Sequence, residues 1–204
     1  YWFKNNTAKY CDAENKKSIE IGKIVHNIIR QNIEFNTTEF ETLYGEEIKN
    51  EIKSFLKFKK DFSNIKLEKT ELSLVSEKYK FTGRLDCIGS EGKNIFLLDW
   101  KTGKCNEKES PVIYPEHEYQ ASAYTILYDE NEKVKIDKTI IVSLAKDKVA
   151  YGILFLQKNV VEQIFNEVFL PLLSIYNYQN PGKNYNLKSE SGIKNNDVKL
   201  PDTF

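Results

Sequence analysis

The chain has 204 residues, 30 basic against 30 acidic, 40% hydrophobic and 13% aromatic, with three cysteines. That size suits a single domain with a real core, the hydrophobic content excludes a disordered polypeptide, and no apolar run approaches the roughly 20 residues of a membrane-spanning helix. Balanced charge supplies no global positive field, so a nucleic-acid partner would have to be held by local patches. Cys11, Cys87 and Cys105 lack any Cys-x-x-Cys spacing, which argues against a disulfide framework or a zinc site and for an intracellular, reducing setting. The opening Tyr1-Trp2-Phe3, without an initiating Met, reads as a piece of a longer product.

From about Glu14 to Glu34, Ile19, Ile24, Ile28, Ile29 and Ile33 recur at helical intervals, and Gly22, His26 and Arg30 fall four apart on one stripe. A second helical pattern, Glu39 to Lys60, has Leu43, Ile48, Ile52, Phe55, Leu56 and Phe58 as its apolar face. The period then changes to two: Glu71 to Ser76 and Lys80 to Ile88 predict a hairpin, with Gly89 and Gly92 marking the next turn. The apolar run Asn94 to Trp100 predicts a central strand covered on both faces. Glu116 to Tyr128 reads as a helix, Lys138 to Ala145 and Ala150 to Leu156 as strands, and Asn159 to Tyr178 as a last helix, kinked or interrupted near Pro171. The expected fold is α/β, a mixed central sheet flanked by helices. It forms one domain over 1–180, with helical cover 14–60, core 67–156, C-terminal helix 159–180 and a polar tail 181–204.

Chemistry concentrates at the end of the central strand. Alternate strand side chains share a face, so Asp99 and Lys101 emerge together while Trp100 points away. Asp-x-Lys is a weak signal alone: about four (D/E)-x-K triplets are expected by chance at this composition, and six occur. Those starting at Glu14, Glu47, Glu51, Glu91 and Asp197 fall in predicted helices, a turn or the tail; only the Asp99 copy closes a buried strand, where a charged pair must be paired, metal-bound or solvent-reaching. A structural salt bridge is the competing reading. Asp86 lies on the preceding strand, where neighbouring strands could bring both carboxylates together around a cation; oxygen ligands suit Mg²⁺ or Mn²⁺.

In order, the chain supplies His26 within Gly22-Lys-Ile-Val-His-Asn, Gly83-Arg-Leu-Asp86, Asp99-Trp-Lys101-Thr-Gly, and Gln120-Ala-Ser-Ala-Tyr124. This ordered set resembles the PD-(D/E)XK nuclease superfamily, with its restriction-endonuclease-like core, and more narrowly the RecB-like exonuclease branch; the Asp-Trp-Lys-Thr block looks like mitochondrial genome maintenance exonucleases and phage relatives. The resemblance implies Asp86, Asp99 and Lys101 as catalytic residues. It also implies Mg²⁺ or Mn²⁺ held by His26, Asp86, Asp99 and the Trp100 backbone carbonyl, with Lys101 acting on the attacking water. Gln120 and Tyr124, one helical turn apart, would support the site and contact DNA, and Glu71 would be a further acid near the metal, in competition with Glu68 and Glu77. Arg30 and Arg84 could reach phosphate or pair with local acids.

The cysteines are too few and too scattered for the iron–sulfur cluster of some RecB-like exonucleases. No Gly-x-x-x-x-Gly-Lys-Ser/Thr occurs, so helicase work would belong to a helicase or a replication or repair partner. The expected activity is hydrolysis of DNA, exonucleolytic and on single strands or ends. The alternatives are a catalytically silent binding or assembly module of the same fold, or an RNA- or structure-specific endonuclease. Lys57, Lys59 and Lys60, or Lys104 and Lys108, are candidate groove lysines, and Tyr114 or Trp100 candidate stacking aromatics.

Overall fold

Two adjacent strands with apolar residues on both faces decide the architecture. β3 (Asn94–Gly103) and β4 (Lys138–Ala145) turn Phe96, Leu98, Trp100, Ile140, Val142 and Leu144 to one side and Leu97 and Ile141 to the other. Strands of that kind need cover on both faces. A computed structural model describes residues 7–35 and 48–180, with side chains for 16–34 and 48–180. α1 (Thr7–Phe35) and α2 (Lys49–Asp61) cover the first face with Val25, Ile28, Ile29, Ile52, Phe55 and Phe58. α3 (Pro115–Asn131) and α4 (Lys158–Ile164) cover the second with Ala121, Ala123, Leu127 and Val161. β1 (Lys66–Ser76), β2 (Phe81–Glu91) and β5 (Tyr151–Gln157) complete a five-stranded mixed sheet in the order β1-β2-β3-β4-β5. Only β3 and β4 are parallel, joined by the α3 crossover; the other pairs are antiparallel. Among the described residues no helix is long and apolar enough to cross a membrane.

The α/β mixed sheet matches the expectation, and its departures have local causes. β1 starts at Lys66 instead of Glu71 because Lys66 to Thr70 pair with Ser90 to Cys87, and the ladder overrides a weak, charged pattern. β3 continues past Trp100 because Thr102 and Gly103 pair with Leu144 and Ala145 of β4. The expected break near Pro171 is present: after α4 comes a π-helical turn, Phe165–Phe169, and then α5 (Leu170–Gln179). Proline has no N–H, and its ring would clash with the carbonyl four residues back in a regular α-helix, so the wider turn immediately before it absorbs the misfit. Residues 39–47 of the second helical pattern, Leu43 among them, and the tail 181–204 lie outside the described residues.

Two features prepare the site. Pairing of β2 with β3 runs from Glu91–Asn94 to Cys87–Leu98 and ends there, although β3 stays paired with β4 as far as Gly103. β2 and β3 therefore part at Asp86 and Asp99. On β2, Gly83 lets α3 approach: a Cβ there would lie 2.8 Å from the Tyr124 ring and from Leu127 Cδ2, closer than packed carbons tolerate.

Candidate active site

Where the strands part, the carboxylate of Asp86 replaces the missing ladder partner: Oδ2 accepts the Trp100 N–H at 2.8 Å. Asp99 is almost wholly buried beside it, with Lys101 Nζ 2.7 Å from Oδ2, while Oδ1 has no hydrogen-bond partner among the described residues. From the opposite layer α1 brings His26, whose Nε2 lies 3.0 Å from the Trp100 carbonyl oxygen and whose Nδ1 lies 3.3 Å from Asp86 Oδ1. Both ring nitrogens thus face acceptors, an arrangement that favours the imidazolium. Burial works to lower the His26 pKa, but the Asp86 charge and hydrogen bond outweigh it and hold it raised.

β1 adds Glu71. It stands across from Asp86, between the paired positions Thr70–Cys87 and Leu72–Leu85, and takes a left-handed φ of +52°. The alternation of β2 breaks at the same level, since Leu85 and Cys87, two apart, pack on opposite faces of the sheet. One ligand atom each from His26, Glu71 and Asp86 come within 4.8 Å of one another. Of the competing acids, Glu68 meets Lys66 and Ser90, and Glu77 meets Lys80. Arg84 Nε pairs with Glu71 Oε2 at 2.8 Å. Arg30 donates to Asn27 at 3.0 Å.

On the α3 side, Lys101 Nζ also donates to Gln120 Oε1 at 2.7 Å, and Gln120 Nε2 donates to the Tyr124 hydroxyl at 3.0 Å. The amide of Gln120 is thereby fixed between lysine and phenol. Burial would lower the Lys101 pKa, but Asp99 and Asp86 raise it, so the ammonium is retained. The two carboxylates divide. Burial and the charge of Asp86 raise Asp99 to about 6 despite Lys101. Asp86 is lowered, since His26, Lys101 and the Trp100 amide together overcome its own burial. Like charges sharing one site separate in this way when no cation lies between them.

The sequence signature of the PD-(D/E)XK nuclease superfamily matches residues 41–181, more than half of the chain. The chain belongs to the PD-(D/E)XK nuclease superfamily. The structure of a "putative exonuclease" from Eubacterium rectale superposes with a TM-score of 0.56 at 12% identity, covering 80% of this chain and 68% of that one; at that identity the likeness shows the fold. SSO0001 aligns at 16% identity and a TM-score of 0.37, over 81% of this chain and 77% of the other, too low to carry an argument. No curated protein matches. His26 lies outside the matched residues, so its place in the site rests on its contacts with Asp86 and Trp100.

Members of this superfamily use divalent cations, and the residues here fit one. Most of the donors are hard oxygens, from carboxylates and a backbone carbonyl, which suit Mg²⁺ or Mn²⁺; the imidazole of His26 is a softer, borderline donor. Asp99 Oδ1 is buried without a hydrogen bond among the described residues, and His26, Glu71 and Asp86 already converge.

The Trp100 ring is a correction. Its backbone lies in the site, but its indole is 1% exposed against Phe55 and Phe58 in the α1/α2 layer, so it cannot stack on a base. Lys57 and Lys59 hold Asp61 and Asn32. His117, one turn before Gln120 in α3, is a residue the motif reading passed over. Its spacing was a usable signal, because His117, Gln120 and Tyr124 fall at i, i+3 and i+7 on one helical face. Tyr114, immediately before α3, is 53% exposed.

Proposed function

We propose that this chain is a divalent-metal-dependent deoxyribonuclease that hydrolyses phosphodiester bonds, acting as an exonuclease on single strands or DNA ends. The observation that carries this reading is the convergence of Asp86, Asp99 and Lys101 with His26 where β2 and β3 part. His26, Asp86, Asp99 and the Trp100 carbonyl would hold the cation, His26 giving up its extra ring proton to do so, with Glu71 beside them. When bound, a divalent cation neutralises phosphate charge and lowers the pKa of water. The Lys101 ammonium, beside Asp99 and Asp86, orients the attacking water and offsets charge developing on the phosphoryl oxygens. Gln120 holds that ammonium in place, and Tyr124 holds Gln120. Water oxygen bonds to phosphorus, one P–O ester bond breaks, and the leaving oxygen takes a proton.

The test is degradation of end-labelled single- and double-stranded DNA with Mg²⁺, Mn²⁺ or EDTA, comparing the wild type with Asp99→Ala and Lys101→Ala. Metal-dependent cleavage lost in both variants is the expected result, with stepwise products from the ends. Internal cuts would replace the exonuclease reading. Cleavage that persists in EDTA, or none with any metal, would overturn the proposal.

A further inference from the structure

Among the described residues several large apolar side chains are exposed; Tyr114 leads into α3, the helix that carries Gln120 and Tyr124, whereas Leu172, Ile175 and Tyr178 are on α5, and nothing in the structure identifies what covers them. Tyr114 directly precedes α3, and its ring meets that of His117 edge to face, with centroids 5.5 Å apart. Two hydrogen bonds lock the pair: the Tyr114 N–H donates to His117 Nδ1 at 3.2 Å, and the His117 N–H donates to the Tyr114 carbonyl at 3.0 Å. An imidazole whose Nδ1 accepts carries its proton on Nε2 when neutral. Burial and the nearby Lys101 ammonium lower its pKa to about 4, so it is neutral near pH 7. His117 precedes Gln120 by three positions, a rise of about 4.5 Å along the helix, and Gln120 holds Lys101. His117 is therefore one helical turn from the residue that holds the proposed catalytic ammonium, near enough for the Lys101 charge to act on its ring.

A packing explanation does not account for the ring of Tyr114. A tyrosine retained for the core would be covered, and this one is 53% exposed. The bonds to His117 use the Tyr114 backbone, so they do not require an aromatic side chain. An exposed, braced aromatic ring beside a phosphodiester site suits the face of an unpaired base, and stacking tolerates any base. The imidazole adds a neutral donor, Nε2–H.

We infer that Tyr114 and His117 form a subsite for the nucleotide next to the scissile phosphate in single-stranded DNA, with the Tyr114 ring stacking on its base and His117 bracing the ring and donating through Nε2–H. This rests on the nuclease reading above. The subsite prefers an unpaired base, because a paired and stacked base leaves no face for the ring.

The experiment measures KM and kcat with Mn²⁺ on single-stranded oligodeoxynucleotides for the wild type, Tyr114→Ala, Tyr114→Phe and Tyr114→Trp. Matched substrates carry one abasic residue stepped past the cleavage position, and anisotropy of the labelled strand in EDTA reports binding without cleavage. Stacking energies of about 1–3 kcal/mol per base correspond to a roughly 5- to 150-fold rise in KM for Tyr114→Ala, with kcat little changed. Phe and Trp restore the wild-type value, and one abasic position weakens the wild type but not Tyr114→Ala. Since the ring is exposed, the melting temperature of the variant stays that of the wild type. A wild type that cleaves single strands while Tyr114→Ala keeps its KM and its abasic sensitivity, or Phe as impaired as Ala, overturns the subsite alone. A wild type that neither binds nor cleaves overturns the nuclease reading and the subsite together.

Discussion

From Glu91–Asn94 to Cys87–Leu98, β2 and β3 are laddered, and Cys87, Ile88, Leu97 and Leu98 pack into dry layers above and below the sheet. One residue further along, the same two strands part, and Asp86, Asp99 and Lys101 occupy the gap. The closed half satisfies its backbone by pairing and its side chains by burial. The open half satisfies neither fully: a side chain stands in for a ladder partner, and a buried carboxylate oxygen has no hydrogen bond among the described residues. The first half holds the second in place, so substitutions in the two should separate stability from activity.

The largest separation is expected from Asp86→Asn. The amide can still accept the Trp100 N–H but gives up the charge that faces His26, so the melting temperature should fall modestly, while cleavage of labelled DNA falls about a thousandfold. A small loss of activity would mean that the open half does not need both carboxylates. Leu98→Ala in the closed half should do the reverse, costing about 2–5 kcal/mol in denaturant unfolding while the folded fraction retains its activity. Gly83→Ala tests the joint between the halves: its Cβ would push on Tyr124 and Leu127. About 1–3 kcal/mol of overpacking cost should come with reduced cleavage as Gln120 and Lys101 shift. Activity unchanged at reduced stability would detach Tyr124 from the chemistry.

Glu51 gives the smallest effect and serves as a control, a buried carboxylate away from the open strands. It lies in α2 with Oε2 lacking a hydrogen-bond partner among the described residues, and burial raises its pKa against the pull of Lys146. A carboxyl whose folded pKa is raised binds its proton more tightly in the native state. It therefore destabilises the fold increasingly as pH rises from the ordinary carboxylate range through that raised value. Glu51→Gln should raise the melting temperature by roughly 2–4 °C near pH 7, the shift expected of about 1 kcal/mol, and lose that advantage near pH 4. Cleavage should not change.

Much of the closed half was legible in the sequence because burial on both faces leaves a continuous apolar run, as in Asn94 to Trp100, and one-sided burial leaves a period, as in α1. The convergence of Asp86, Asp99 and Lys101 was legible from charge placed where charge is costly. What could not be read was set by tertiary contacts. Nothing local in Glu71 distinguishes it from Glu68 or Glu77; its place follows from lying across from Asp86 beside His26. The direction of the Trp100 ring follows from alternation, and the same rule that placed Asp99 and Lys101 together should have removed that indole from the stacking candidates. His117 shares a helical face with Gln120 and Tyr124 and could have been read from that spacing; only its nearness to Lys101 is a tertiary matter.

The left-handed backbone at Glu71 bears on how such a protein would change under selection. A side chain other than glycine or asparagine costs about 1 kcal/mol in that conformation, so Glu71→Gly or Glu71→Asn would relieve backbone strain. Either step deletes a carboxylate beside His26 and Asp86. A lineage screened for heat tolerance alone would drift towards losing this acid, so retention of a strained glutamate at this position in heat-adapted relatives would be a record of selection for what it does.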